Sequence, residues 1–178
     1  MTTTTKRTLY LVCCAAEPAV RAVDGVRAAQ AAGWEVCLIL TPYARRWLEA
    51  DVPALAALTG HPVRHEYKLP GEPDVLPPPD AILVAPATFN TIGKWAAGIS
   101  DTLALGLITE AIGLGLPVVA LPHLADAQAA HPAFPKNVAF LREAGVTVLL
   151  GEDGRDPGQG DSAESYPWAA AVAALPAP

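Results

Sequence analysis

Cysteines are few in this chain of 178 residues, and no glycine-rich dinucleotide fingerprint is present. The three cysteines, Cys13, Cys14 and Cys37, have no metal-ligand spacing, and their odd number argues against a disulfide framework and a zinc site. All three fall in apolar, strand-like runs, which favours buried structural thiols over redox thiols. The cysteine spacing therefore predicts no metal site. The missing glycine pattern also argues against NAD as a ligand.

Basic clusters and long apolar runs are also absent from the sequence. Lys and Arg number 12 against 18 Asp and Glu, so the formal net charge is −6. Nucleic-acid binding needs a basic face, and a membrane-spanning helix needs roughly 18 apolar residues. The first residues show no signal-peptide pattern. We therefore expect a cytoplasmic protein with no nucleic-acid and no membrane partner.

Apolar runs that alternate with stretches of helical spacing make up most of the chain. Short, nearly unbroken apolar runs are typical of parallel strands covered on both faces. They span residues 8–15, 34–41, 81–86, 117–122 and 146–150. Helical spacing covers residues 17–32, 43–48, 53–58, 90–114 with a break at 98–101, and 132–144. This order predicts one three-layer α/β domain over residues 1–150, with a parallel sheet and right-handed crossovers.

The segments between and after these elements are less regular. Residues 62–67 are compatible with a short strand, whereas 69–80 carry five prolines and predict a loop that acts as a lid or is held by a neighbouring subunit. Residues 151–178 predict a mobile tail, because 151–165 are rich in Gly, Asp and Ser. Residues 166–175 could form a short docking helix within it.

Polar side chains cluster at one strand-to-helix junction. Thr88, Asn90 and Thr91 follow the strand at 81–86, and ligands bind beyond the carboxyl ends of parallel strands. The cluster could cap the following helix, or it could bind a polar ligand. We expect Ser100 or Asp101 to cap the helix after the break at 98–101. Chemistry alone leaves the role of the cluster open.

The segment PATFNT, residues 86–91, resembles a Pro-Ala-Ser-Ala-Asn-Thr motif, and the GISDTL that follows resembles Gly-Ile-x-Asp-x-Leu. Both motifs are typical of the flavoprotein family of homo-oligomeric, FMN-containing cysteine decarboxylases. Residues 117–149 are similar to the matching region of phosphopantothenoylcysteine decarboxylases and lantibiotic peptidyl-cysteine decarboxylases. The resemblance covers roughly residues 8–150 and is most specific over 85–103.

The resemblance implies a flavodoxin-like (Rossmann-like), doubly wound parallel sheet that binds FMN, in a homotrimer or a dodecamer of trimers. It implies a lyase-type reaction on a small molecule or peptide terminus, in which a cysteine thiol is oxidised and the resulting thioaldehyde loses carbon dioxide. The residues that it places around the flavin are Cys14, Ala15, Ala16, Thr41, Thr88, Phe89, Asn90, Thr91 and His123.

Two positions depart from the family pattern. The family's active-site histidine falls near Glu72, and the family asparagine that holds the substrate carboxylate is replaced by Ala125. His123 and His65 are therefore the catalytic candidates. A non-catalytic FMN-binding subunit is the alternative function. A flavin prenyltransferase is a third option. It would need a site for a prenyl phosphate, and no concentration of Arg and Lys lies near the PATFNT motif to form one.

Overall fold

The structure is a computed structural model that describes residues 6–151 and 163–178. Five parallel strands form one sheet in the order β2-β1-β3-β4-β5. The strands are β1 Thr8–Cys13, β2 Glu35–Leu40, β3 Ala81–Ala87, β4 Val118–Pro122 and β5 Thr147–Val148. This is the strand order of flavodoxin-like sheets, in which the order reverses between β1 and β3. The predicted doubly wound parallel sheet is confirmed.

Helices cover both faces of the sheet, and each face has its own apolar core. The α-helices are α1 Ala22–Ala31, α2 Pro42–Trp47, α3 Val52–Thr59, α4 Phe89–Ala96, α5 Leu103–Gly113, α6 Asp126–Ala129, α7 Ala133–Glu143 and α8 Trp168–Ala173. Helices α1, α3 and α8 contribute to one core, and α4, α5 and α7 contribute to the other. The three-layer architecture is therefore as predicted.

Strand β1 explains why an apolar run without alternation is still a strand. Its six residues are all buried. Leu9 and Leu11 belong to one core, whereas Tyr10 and Val12 belong to the other. Successive side chains of a strand point to opposite faces, so a strand covered on both faces needs apolar residues at every position.

Residues 62–67 do not form the short strand that their sequence allowed. Only Arg64 bridges to β2: its N–H donates to Leu38 O at 3.1 Å, and its carbonyl accepts from Leu40 N–H at 2.8 Å. The neighbouring Pro62 has no N–H, which limits further pairing. Residues 69–80 contain no helix or strand, as predicted.

The expected cap of α5 was wrong. Thr102, not Ser100 or Asp101, caps this helix, because its Oγ1 accepts from Leu105 N–H at 3.3 Å. The Asp101 carboxylate instead accepts from Lys94 Nζ at 2.6 Å. Ser100, Asp101 and Thr102 all have side chains that can cap a helix, and the ion pair with Lys94 engages that of Asp101.

The C-terminal segment packs on the sheet through α8, within the stretch where a docking helix was predicted. Trp168, Ala171 and Val172 are buried in the core that α1 shares. Part of the predicted mobile tail, residues 152–162, lies outside the described residues, and the domain boundary at 150 stays a prediction. None of the helices described is long and apolar enough to cross a membrane.

Candidate functional site

A cavity of about 870 Å³ opens at the carboxyl ends of β1 to β4. This volume lies within the range of about 300–1,000 Å³ that small-molecule and cofactor sites occupy. The cavity spans the point between β1 and β3 where the strand order reverses, which is where open α/β sheets bind ligands. Its lining residues are Ala15, Ala16, Glu17, Thr41, Pro42, Tyr43, Trp47, Thr88, Phe89, Asn90, Thr91, Lys94, Thr102, Leu105, His123, Leu124, Ala125 and Gln128.

The junction between β3 and α4 forms one wall of this cavity. Thr88 caps α4: its Oγ1 accepts from Thr91 N–H at 3.3 Å and lies 3.1 Å from Thr91 Oγ1. Phe89 and Asn90 line the cavity beside them. The first N–H groups of a helix have no acceptor within the helix, and its N-terminus favours an anion. Both roles considered from the sequence are therefore compatible: the segment caps α4 and also faces the cavity.

His123 also lines the cavity, directly after β4. Its backbone N–H donates to Ala87 O at 2.9 Å, which joins the ends of β3 and β4. The imidazole contacts the Tyr166 ring edge to face, with ring centroids 5.9 Å apart and planes at 78°. His123 thus lines the cavity from a backbone position held by β3, and its contact with flavin stays a prediction.

The loops after β1 and β2 complete the cavity. Ala15, Ala16 and Thr41 all line it, and the small alanine side chains leave room at the end of β1. Thr41 N–H donates to Cys13 O at 3.0 Å, which holds the two loops together. Three more of the predicted contact positions are therefore present at the cavity.

Cys14 is the one predicted flavin neighbour that does not line the cavity. Its side chain is buried, and its N–H donates to Pro86 O at 3.1 Å. Burial raises the pKa of the thiol, although hydrogen bonds with Thr91 and Thr88 act in the opposite direction. Cys14 therefore packs behind the β3–α4 junction. A contact between Cys14 and flavin stays a prediction.

The histidines other than His123 lie elsewhere. His65 does not line the cavity, and its Nε2 is 3.9 Å from a Glu66 carboxylate oxygen. His61 Nε2 lies 2.7 Å from Glu35 Oε1. His131 Nδ1 accepts from Ala133 N–H at 3.1 Å, at the start of α7. Of the two catalytic candidates, the structure brings only His123 to the cavity.

Sequence reasoning missed several lining residues. Tyr43 and Trp47 are one turn apart on α2, and both are more than half exposed at the cavity. Their i, i+4 spacing places two side chains on one face of a helix, which was a usable signal. Among the described lining residues, Lys94 carries the only Lys or Arg charge, and Asp101 is its partner.

Comparisons with known proteins agree with this architecture. A cysteine/cysteine sulfinic acid decarboxylase from an unknown prokaryotic organism is 38% identical over 84 residues, which are 47% of this chain and 21% of that protein. The coenzyme A biosynthesis bifunctional protein CoaBC of Mycobacterium bovis is 32% identical over 161 residues, 88% of this chain and 37% of that protein. The chain thus spans well under two thirds of either relative.

A solved structure and a family model extend the comparison. The crystal structure of SpaF, an FMN-dependent cysteine decarboxylase, matches with a TM-score of 0.67 at 25% sequence identity, and covers 93% of this chain and 97% of that chain. A protein-family model described as Flavoprotein matches residues 1–172. Because that match covers nearly the whole chain, the chain belongs to the Flavoprotein family.

Proposed function

We propose that this chain binds FMN in the cavity and catalyses oxidative decarboxylation of a cysteine-containing small molecule or peptide terminus. The observation that carries the proposal is that Thr88–Thr91 and His123 line one cavity, at the reversal point of a flavodoxin-like sheet. Membership of the Flavoprotein family and relatives named as cysteine decarboxylases support it.

The side chains of the cavity fit the cofactor chemically. An isoalloxazine needs neutral hydrogen-bond partners, and its phosphate needs an anion site. Thr88, Asn90 and Thr91 offer hydroxyls and an amide, and the N-terminus of α4 offers backbone donors. Phe89 supplies an apolar ring beside them.

The reaction would divide between the cofactor and the residues of this chain. When bound, FMN would supply a two-electron acceptor for conversion of the substrate thiol to a thioaldehyde, from which carbon dioxide leaves. His123 would take up the thiol proton, because an imidazole exchanges protons near neutral pH. The walls formed by Thr41, Tyr43 and Trp47 would position the rest of the substrate.

An anaerobic turnover experiment tests this function. The protein is loaded with FMN and mixed with a peptide that ends in cysteine, and flavin absorbance and carbon dioxide are followed together. We expect the flavin to bleach while one carbon dioxide is released per flavin reduced. A peptide that ends in serine is the matched control, since it lacks the thiol. Loaded protein that neither bleaches nor releases carbon dioxide with a panel of such thiols would contradict decarboxylation.

A non-catalytic FMN-binding subunit is the second candidate, and Ala125 favours it. This residue lines the cavity where the resemblance expects an asparagine, and a methyl group cannot donate to a carboxylate. Its backbone N–H lies 3.3 Å from Gln128 Oε1 and donates to it. Tight FMN binding without reduction by any cysteine-ended substrate would select this candidate.

We also propose that the chain forms a homo-oligomer, a trimer or a dodecamer. The proposal is supported by the resemblance to homo-oligomeric decarboxylases. Light scattering on the purified protein gives the mass directly, and a monomer at micromolar concentration would contradict it.

A further inference from the structure

The C-terminal segment contacts a lining residue of the cavity, His123, through one aromatic side chain, that of Tyr166. Only 4% of this residue is exposed, and it follows the short 3-10 turn Ala163–Ser165. That turn packs against the 3-10 turn Glu17–Arg21, whose first residue lines the cavity. The segment therefore lies directly behind the loops that form the site.

Tyr166 contacts the wall that carries His123 in two ways. Its hydroxyl donates to Leu121 O at 2.8 Å, on β4 two residues before His123. Its ring meets the imidazole edge to face. One side chain thus holds both the end of the strand and the ring that follows it.

Tyr166 is itself held in place by the helix that follows. Its ring packs on Trp168 with centroids 4.8 Å apart and planes at 73°. Trp168 lies so close to Gly25 of α1 that an added Cβ would be 2.5 Å from the indole ring. This chain of contacts runs from α1 through Trp168 and Tyr166 to His123, and the two aromatic rings behind His123 are buried.

We infer that Tyr166 is a positioning residue for His123, and that the C-terminal segment is therefore part of the functional site. The expected effect of Tyr166 on turnover rests on the proposed function. The expected effect of Tyr166 on the orientation of the His123 ring does not. The backbone of His123 is held by Ala87 O, so the ring contact with Tyr166 bears on the orientation of the imidazole. An edge-to-face contact with a fixed ring restricts rotation of the imidazole.

Two substitutions at Tyr166 separate its hydroxyl from its ring. Tyr166→Phe removes the bond to Leu121 O and keeps the ring contact, whereas Tyr166→Leu removes both. Tyr10→Phe is a matched control, because Tyr10 is also buried and its hydroxyl donates to a backbone carbonyl, that of Pro77, at 2.8 Å, away from the cavity. If loss of a buried tyrosine hydroxyl acts only through general stability, Tyr10→Phe and Tyr166→Phe should have the same effect.

The first measurement is the NMR spectrum of the histidine rings, with the His123 signal assigned from a His123→Asn variant. We expect Tyr166→Leu to move the His123 ring signals more than those of His61, His65 and His131, since an adjacent aromatic ring is lost. Tyr10→Phe should leave the His123 signals in place. Unchanged His123 signals in a folded Tyr166→Leu protein would overturn the inference, whatever the activity.

The second measurement is a double-mutant cycle on turnover. We expect Tyr166→Leu to lower kcat by about ten-fold or more and to change KM little, because misplacing a reacting group by about 1 Å can cost up to about 10²-fold. In the His123→Asn background, Tyr166→Leu should add no further loss. Additive losses would overturn the positioning role, whereas full activity of His123→Asn would contradict the role of His123 in the proposed function and leave the NMR result to decide the inference.

Discussion

At the scale of single residues, the two histidines proposed for catalysis occupy different surroundings. His123 lines the cavity, whereas His65 lies outside it beside Glu66. We expect His123→Asn to lower kcat by roughly 10²–10⁴-fold, the usual contribution of a positioned acid or base. His65→Asn should stay within about two-fold of the wild type, because it loses only a 3.9 Å contact with the exposed Glu66 carboxylate. Steady-state kinetics of the FMN-loaded variants would distinguish them, and equal losses at both positions would contradict this assignment.

Thr88 joins helix capping to cavity lining within one side chain. Thr88→Val keeps the shape but removes the acceptor for Thr91 N–H, so the free energy of unfolding should fall by about 0.5–2 kcal/mol. FMN affinity should also fall by roughly five-fold, since one hydrogen-bond partner worth about 1 kcal/mol is lost. Urea unfolding and fluorescence titration with FMN measure the two effects.

Thr59→Val is the control for this substitution. The Thr59 hydroxyl bonds to backbone carbonyls at the end of α3, outside the cavity. Its removal should lower stability without changing FMN affinity. Should Thr88→Val bind FMN as tightly as the wild type, the hydroxyl would be a cap and nothing more.

At the scale of elements, the docking of α8 depends on a glycine in α1. Because Gly25 has no Cβ, the Trp168 indole ring can pack directly against α1. Gly25→Ala should therefore lower the free energy of unfolding by about 1–3 kcal/mol through overpacking. Alanine has a higher helix propensity than glycine by about 1 kcal/mol, so we expect Gly→Ala to raise the free energy of unfolding where space is free. Gly93→Ala on α4 is that control, because its Cβ would meet only Asn137 Nδ2, at 3.6 Å.

Urea unfolding of both alanine variants measures the difference. In a Trp168→Leu background, Gly25→Ala should cost less, since the flat indole ring is gone. A stabilising Gly25→Ala would mean that α8 does not dock as described.

The elements that could be predicted from sequence are those whose pattern records burial directly. The run at 8–15 predicts β1 because every position faces a core. The N-cap of α5 could not be predicted, because Ser100, Asp101 and Thr102 all carry suitable side chains, and the pairing of Asp101 with Lys94 is a tertiary contact.

The candidate site was predictable to the same extent. The loops after strands β1 to β4 could be located, because parallel strands end at one edge of a sheet. The contact of Tyr166 with His123 could not be predicted, since no periodicity links a residue near the C-terminus to one some 40 positions earlier. Contacts between elements distant in sequence depend on packing that local patterns do not encode.

At the scale of the whole molecule, buried ionisable groups make folding sensitive to alkaline pH. Burial raises the pKa of Cys37 to about 12 and that of Tyr10 to about 12, and it raises the pKa of Cys13 and Cys14 as well. Thiols of the unfolded chain ionise near pH 8.5. The stabilising contribution of each buried thiol is therefore complete below about pH 8.5 and is lost as the pH rises towards its folded pKa.

The free energy of unfolding should accordingly fall above about pH 9, by up to about 1.4 kcal/mol per pH unit for each thiol that ionises only when unfolded. Cys37→Ala removes one such group, so its unfolding free energy should fall less steeply between about pH 9 and 11. Val36→Ala, at a buried neighbour without a titratable group, should lower stability at neutral pH and keep the wild-type slope. Urea unfolding under reducing conditions across this pH range measures all three slopes. Equal slopes for Cys37→Ala and the wild type would show that the Cys37 thiol ionises in the folded protein as readily as in the unfolded chain.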